Sequence, residues 1–323
     1  MRKDFQIVNL TARPGEKIQG YVPVYETGLE LPVTVIHSIE EGDTVLITSG
    51  LHSAEYPGIQ AAIELASELE PAHIKGTIIL VHPLNISGFL NRNLQSCVEE
   101  DKKNLNGVFM PGNRNGTPAE QIAHQQAVEF QSKADYYLDL HSGGDFTQLA
   151  PYVYYVGIAE HEVIQKARKM AKAVCVPYMV CSQQGNPGIY NYAGTCNIPS
   201  ILVERGCQGI WTRGEVEQYK EDVRNVLRTL GCLNDGKAPI EYAPIEVINV
   251  LSHASVYEGC WYPSKDAGER VKLGEKLGEV RDCFGKVLET YYSERSGVIL
   301  YQNSSLCIPK KGNMITYGDI KEL

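Results

Sequence analysis

The sequence predicts an α/β protein, a mixed sheet covered by helices, followed by a small all-β region. Three observations carry this. Apolar runs of strand length alternate with helix-period segments over residues 31–232, the pattern of a sheet wrapped by helices. Several of those runs end in glycine and lead into a helix pattern. From about residue 244 the texture changes to short strands split by glycines, as in small all-β units. At 323 residues the chain is long enough for one sizeable α/β core and a smaller unit.

Residues 1–30 mix polar and apolar positions around Pro14-Gly15 and read as edge strands of the main domain, 1–232. Pro32-Val33-Thr34-Val35-Ile36 alternates as a strand. Further strands are expected near 44–48, 77–82, 136–141, 152–156 and 200–204, and helices near 57–70, 118–132, 160–174 and 214–231. Residues 233–243, with Asn234-Asp235-Gly236 and Pro239, read as a linker. The segment 244–323 reads as a C-terminal β domain, with short strands at Val247–Leu251, Gly259–Tyr262, Gly278–Arg281 and Gly297–Leu300. Its run Gly268–Gly278 resembles the hairpin of biotinyl/lipoyl-like barrels. A carrier barrel needs a modifiable lysine at a tight hairpin tip. Lys265 lies before the hairpin and lacks that setting, so no swinging arm is expected.

Composition narrows the function classes. The formal net charge is −9, which argues against a nucleic-acid or anionic-membrane partner, since phosphate surfaces demand a basic face. No apolar stretch reaches the roughly 18–20 residues of a membrane span. Met1-Arg2-Lys3-Asp4-Phe5-Gln6 lacks the apolar core of a signal peptide. Nine cysteines, none in a Cys-x-x-Cys pair, read as reduced thiols, and a cytoplasmic location is expected. A homo-oligomer is compatible with the sequence.

The most informative local feature is Ser49-Gly50-Leu51-His52-Ser53-Ala54-Glu55. It follows the apolar run Thr44–Thr48 and precedes the helix pattern of Ile59, Ala62, Ile63 and Leu65. His52 and Glu55 therefore stand at a strand's C-terminal end, where open α/β sheets bind ligands. Three residues apart on helix-like backbone, they share a face. The pair alone is weak, because 8 His and 39 acidic residues in 323 give about one such pair by chance. His37 and Glu40 have the same spacing, but His37 continues a strand, where i and i+3 point to opposite faces.

Two further strands supply the test. Tyr136-Tyr137-Leu138-Asp139-Leu140-His141 runs into Ser142-Gly143-Gly144, and Ser200-Ile201-Leu202-Val203-Glu204 into Arg205-Gly206. Three parallel strands would then deliver His52, Glu55, His141 and Glu204 to one edge. Two His and one Glu with an open position is the donor set of catalytic zinc, and a Glu that is not a ligand can take a proton from water. Asp139, two before His141, faces the same side and can orient a ligand histidine; an unrelated buried hydrogen bond is the other reading. His82 and His124 read as packing or surface residues, and Arg205 should face away from Glu204. The Gly, Asn and Pro of Ser182–Tyr192 are turn chemistry, and this loop is a candidate substrate wall.

In combination, Ser49-Gly50-Leu51-His52-Ser53-Ala54-Glu55-Tyr56-Pro57-Gly58, Asp139-Leu140-His141 and Ile198-Pro199-Ser200-Ile201-Leu202-Val203-Glu204 resemble the succinylglutamate desuccinylase/aspartoacylase family, over roughly residues 30–320. The resemblance implies a zinc carboxypeptidase-like fold, with 1–232 as the catalytic domain and 244–323 flanking the site or aiding assembly. It implies one zinc ion per chain on His52, Glu55 and His141, Glu204 as general base, and hydrolysis of an amide on a small N-acyl substrate.

In the same family a segment after the first ligands supplies an Arg that polarises the scissile carbonyl and an Asn-Arg pair that grips the substrate carboxylate. Arg92 matches the first, Asn106 matches the Asn, and Asn104 falls where a residue orients a zinc ligand. The expected second Arg is Gly107. Glycine cannot replace an Arg–carboxylate clamp, so Lys102, Lys103 or Arg114 would have to supply the charge, or the substrate lacks that carboxylate. Two rivals stay open on the residues alone. One is a metallocarboxypeptidase acting on peptides, which needs such a clamp. The other is a non-catalytic zinc-binding protein of the same fold, which has no need of Glu204.

Overall fold

The computed structural model describes residues 2–93, 97–109, 112–183 and 188–320. Its main sheet has 13 strands. In its centre Ser200–Glu204, Tyr136–His141 and Thr44–Ser49 lie side by side in parallel, with Glu204 beside His141 and Thr48 beside Asp139. These strands are buried on both faces, which is why they read as continuous apolar runs. Tyr152–Val156 pairs antiparallel with Ser200–Glu204, so its first residue, Tyr152, sits beside Glu204 at the same edge.

On the other side of Thr44–Ser49 the sheet continues through Thr77–Val81, Glu30–His37 and Glu16–Pro23. Beyond Tyr152–Val156 it continues through Tyr178–Ser182 and then Ile245–Ala254, paired in parallel. Asn313–Ile320 and Gly297–Asn303 follow antiparallel. The sheet thus runs across the expected linker, and C-terminal strands share it with the N-terminal ones. A second, four-stranded sheet holds Gly259–Pro263, Lys276–Arg281, Val287–Tyr292 and Cys307–Ile308 around buried Trp261.

Helices fill both faces. Tyr56–Glu68, His161–Ala171 and Arg213–Thr229 bury their apolar stripes with Ile47, Leu138, Leu140 and Ile201. Pro118–Gln125 and Gly188–Thr195 close the other face over Leu46, Tyr137 and Leu202. Arg213–Thr229 starts on a capping box between Thr212 and Glu215. The helix at Gly188–Thr195 and the strand at Tyr178–Ser182 are additions to the sequence reading, which had turn chemistry in the first and no element in the second. Residues 184–187 of the expected substrate-wall loop lie outside the described residues.

Candidate active site

Gly50 sets the local geometry. Its φ of 65° is in the left-handed region, and a Cβ there would come within 2.5 Å of Pro83. The chain therefore turns sharply after Ser49, and His52 and Glu55 emerge before the helix Tyr56–Glu68. Gly58 lets that helix approach the next strand; a Cβ there would meet Leu140 Cβ at 2.9 Å. The turn is tied down elsewhere by Ser53 Oγ, which donates to Asn93 O at 2.6 Å.

His52, Glu55 and His141 converge. His52 Nδ1 lies 2.9 Å from Glu55 Oε1, and His141 Nδ1 3.0 Å from Glu55 Oε2. One donor atom from each lies within 4.8 Å of the others. Two imidazole nitrogens aimed at one carboxylate fit a shared cation, and the set is the one favoured by zinc. The other His52 nitrogen, Nε2, is buried and unpartnered. His141 Nε2 donates to Asp139 Oδ2 at 2.9 Å, and Asp139 Oδ1 accepts from Thr48 Oγ1 at 2.6 Å. Thr48 Oγ1 in turn is 2.6 Å from the Tyr137 hydroxyl. This buried chain fixes the His141 ring with Nδ1 toward Glu55. Ser142 N donates to Glu55 Oε2 at 3.1 Å and fixes that carboxylate as well.

Burial opposes charge on Glu55, but His141 and His52 outweigh it and hold the carboxyl down at about 2. Burial likewise opposes charge on His141, yet Glu55 and Asp139 raise it well above the ordinary imidazole value. Glu204 goes the other way. Burial and then the Glu55 charge push it up to about 8, with His141 opposing. Its Oε2 is buried without a partner, and the side chain lines both cavities that meet at the cluster. A carboxyl so placed can exchange a proton with a group in the cavity.

The larger cavity, about 1000 Å³, is walled by Tyr152, Tyr154, Tyr190, Tyr301, Asn106 and Asn249 among others. The smaller, about 350 Å³, extends past Ser142, Asp145 and Thr147. Among the described residues, neither is lined by a lysine or arginine. Ser182, Gln183, Tyr190 and Asn191, from the flanks of the expected substrate-wall loop, do line the larger one.

Other expected residues are placed differently. Arg92 is exposed, with φ of 52°, and lines neither cavity. Arg114 is exposed over the Tyr25 ring, 4.9 Å from its centroid, and does not reach the site; cation–π stacking holds it there. Lys102 pairs with Glu99, and Lys103 with Glu120 at 3.1 Å. Asn104 lines both cavities, but its side-chain oxygen accepts from Asn106 N at 2.9 Å. That oxygen caps the short turn Leu105–Val108. Asn106 does line the cavity, and its Oδ1 accepts from Ile189 N at 3.0 Å. Arg205 is buried on the far side, bonded to Asp222 at 2.7 Å. The sequence reading missed the tyrosines; alternation within Tyr152–Val156 puts Tyr152 and Tyr154 on one face and was the available signal.

A family model described as the succinylglutamate desuccinylase/aspartoacylase catalytic domain matches residues 41–230. Over 150 residues the chain is 34% identical to the N-alpha-acetyl-L-2,4-diaminobutyric acid deacetylase of Halomonas elongata, a match spanning 46% of this chain and 43% of that relative. Less than half of the relative's length is therefore aligned. Two solved structures resemble the whole fold. The succinylglutamate desuccinylase/aspartoacylase of Rhodobacter sphaeroides is 23% identical, with a TM-score of 0.85 over 96% of this chain and 97% of that one. The product-bound ectoine utilization protein EutE (DoeB) of Ruegeria pomeroyi is also 23% identical, with a TM-score of 0.85 over 98% of each chain. The fold is thus that of the zinc carboxypeptidase-like proteins the sequence resembled. With a catalytic-domain match over more than half its length, the chain belongs to the succinylglutamate desuccinylase/aspartoacylase family.

Proposed function

We propose that this protein is a zinc-dependent amidohydrolase that removes the acyl group from a small N-acylated amine or amino acid. The observation that carries this is the convergence of His52, Glu55 and His141 beneath a cavity that also holds the unpartnered carboxylate oxygen of Glu204. The relative named as a diaminobutyrate deacetylase supports the reaction class.

His52, Glu55 and His141 would hold the ion. A zinc ion there would supply Lewis-acid polarisation of the scissile carbonyl and would make the attacking water more acidic. Glu204 takes a proton from the attacking water and returns it to the leaving amine. Asp139 keeps His141 in the required tautomer. The products are a carboxylic acid and an amine.

The cation-free lining argues against a carboxypeptidase, which must grip a terminal carboxylate. The free oxygen of Glu204 argues against a mere zinc binder. Metal analysis of gently purified protein, with hydrolysis of a panel of N-acyl amines, N-acyl amino acids and dipeptides, tests all three. About one zinc per chain and turnover of the N-acyl compounds are expected, with both lost in His52→Ala. Active protein without a divalent metal would sink the proposal.

A further inference from the structure

Among the described residues, the walls of the site hold no lysine or arginine, and this bears on what it takes. Resting on the deacylase reading above, we propose that the substrate carries no free carboxylate: its acyl group is neutral, and its amine portion is neutral or positively charged.

Neither cavity has a lysine or arginine in its described lining. Of the segments outside the described residues, 94–96, 110–111 and 184–187 contain none in the sequence, while 321–323 contain Lys321. Nearby cations are engaged with other partners: Lys102 and Lys103 with Glu99 and Glu120, Arg114 with Tyr25, and Arg295 with Asn249 O and Asp319. Arg92 is exposed, outside both linings.

Negative charge is abundant by contrast. Glu55 lies at the cluster, Asp139 stands behind His141, and Asp145 lines the smaller cavity. A substrate carboxylate would leave water without a charged partner, which is costly, and would be repelled at short range.

The residues present suit other groups. Tyr152 and Tyr154 meet edge-on at 5.1 Å, and Tyr190 follows at 6.1 Å. Ring faces of this kind attract ammonium groups. Asn106, Asn191, Asn249 and Asn313 offer neutral amides to a carboxamide or hydroxyl.

The test uses zinc-loaded, full-length enzyme and three acetylated compounds: an N-acetyl amino acid, its carboxamide, and a monoacetylated diamine. Calorimetry of the three corresponding free amines gives binding independently of turnover. The carboxamide and the diamine are expected to have kcat/KM values at least equal to that of the acid. An acid favoured by more than about 10-fold in kcat/KM or in product binding, the scale of one charge-assisted contact, overturns the proposal. If nothing is hydrolysed but the diamine binds more tightly than the amino acid, the charge assignment stands and the deacylase reading falls. Absence of both turnover and binding overturns the two together.

Discussion

Asp139 is fully buried and touches no cavity, yet on the proposed function its geometry predicts an effect on metal affinity. One oxygen accepts from His141 Nε2 and the other from Thr48 Oγ1. Asp139→Ala removes both acceptors at once. A buried donor left unsatisfied costs about 1–3 kcal/mol. Thr48 escapes much of that penalty, because its hydroxyl can turn to the Tyr137 oxygen at 2.6 Å. His141 cannot, since its other nitrogen faces Glu55. The remaining loss falls on orientation of the His141 ring and on the basicity of the nitrogen meant for the metal. Losing such a partner lowers metal affinity about 10–100-fold, or about 1.4–2.8 kcal/mol.

Asp139→Asn separates the causes. Its carbonyl can accept from His141 while its amide donates to Thr48, which then donates to Tyr137. Only the charge is lost, so the effect belongs near 10-fold, and that of Asp139→Ala near 100-fold. Competition against a chromophoric chelator measures both. Unchanged affinity in Asp139→Ala, or a weaker Asn than Ala variant, would refute the assignment of Asp139 as a positioning residue.

Three further outcomes are expected. Glu204→Gln should keep its zinc and fold but lose at least ~100-fold in turnover; loss of zinc would make Glu204 a ligand, and near-normal turnover would place the base elsewhere. In metal-free protein Glu204 binds its proton up to about pH 8, while the unfolded chain releases it near 4.5. Stability from this group is therefore intact below pH 4.5 and falls by up to about 1.4 kcal/mol per pH unit toward pH 8. The raised His141 adds loss above its ordinary value of 6.5, whereas the lowered Glu55 costs stability below 4.5. Chelated protein should melt highest near pH 4.5 as far as these groups decide it, and Glu204→Gln should flatten the fall above that pH; superimposable melting curves would contradict this. Gly107→Arg has open space, with nothing within 4 Å of an added Cβ. It should raise kcat/KM for an N-acetyl amino acid relative to its carboxamide by about 10-fold or more; an unchanged ratio would show that this wall does not meet the substrate's carboxylate position.

Much of this site was legible as sequence because its donors follow strand ends. A buried parallel strand announces itself by an unbroken apolar run, and glycine marks where it turns. Gly50, Gly143 and Gly206 thus located His52, Glu55, His141 and Glu204, and period-two alternation put Asp139 on the same side as His141. The decoy was resolved in the same way. His37 remains within a strand, bonded to Thr77 Oγ1 at 2.9 Å, and Glu40 is exposed.

Loop residues resisted such reading. Arg92, Asn104 and Arg114 lie on turns whose side-chain directions have no period, and local partners decided two of them: Asn106 N for Asn104, the Tyr25 ring for Arg114. By itself the sequence determined the layered α/β architecture, the glycine turns and the strand-end positions of His52, Glu55, His141 and Glu204, because those depend on contacts between residues close in the chain or on simple periodicity. Only the tertiary structure decided the charge of the cavity and its walls. Tyr152 reaches Glu204 through an antiparallel pairing, and Val247, Asn249 and Asn313 arrive from strands that rejoin the sheet after residue 244. Such pairings are set by how distant strands share backbone hydrogen bonds and buried surface, and no local pattern encodes them.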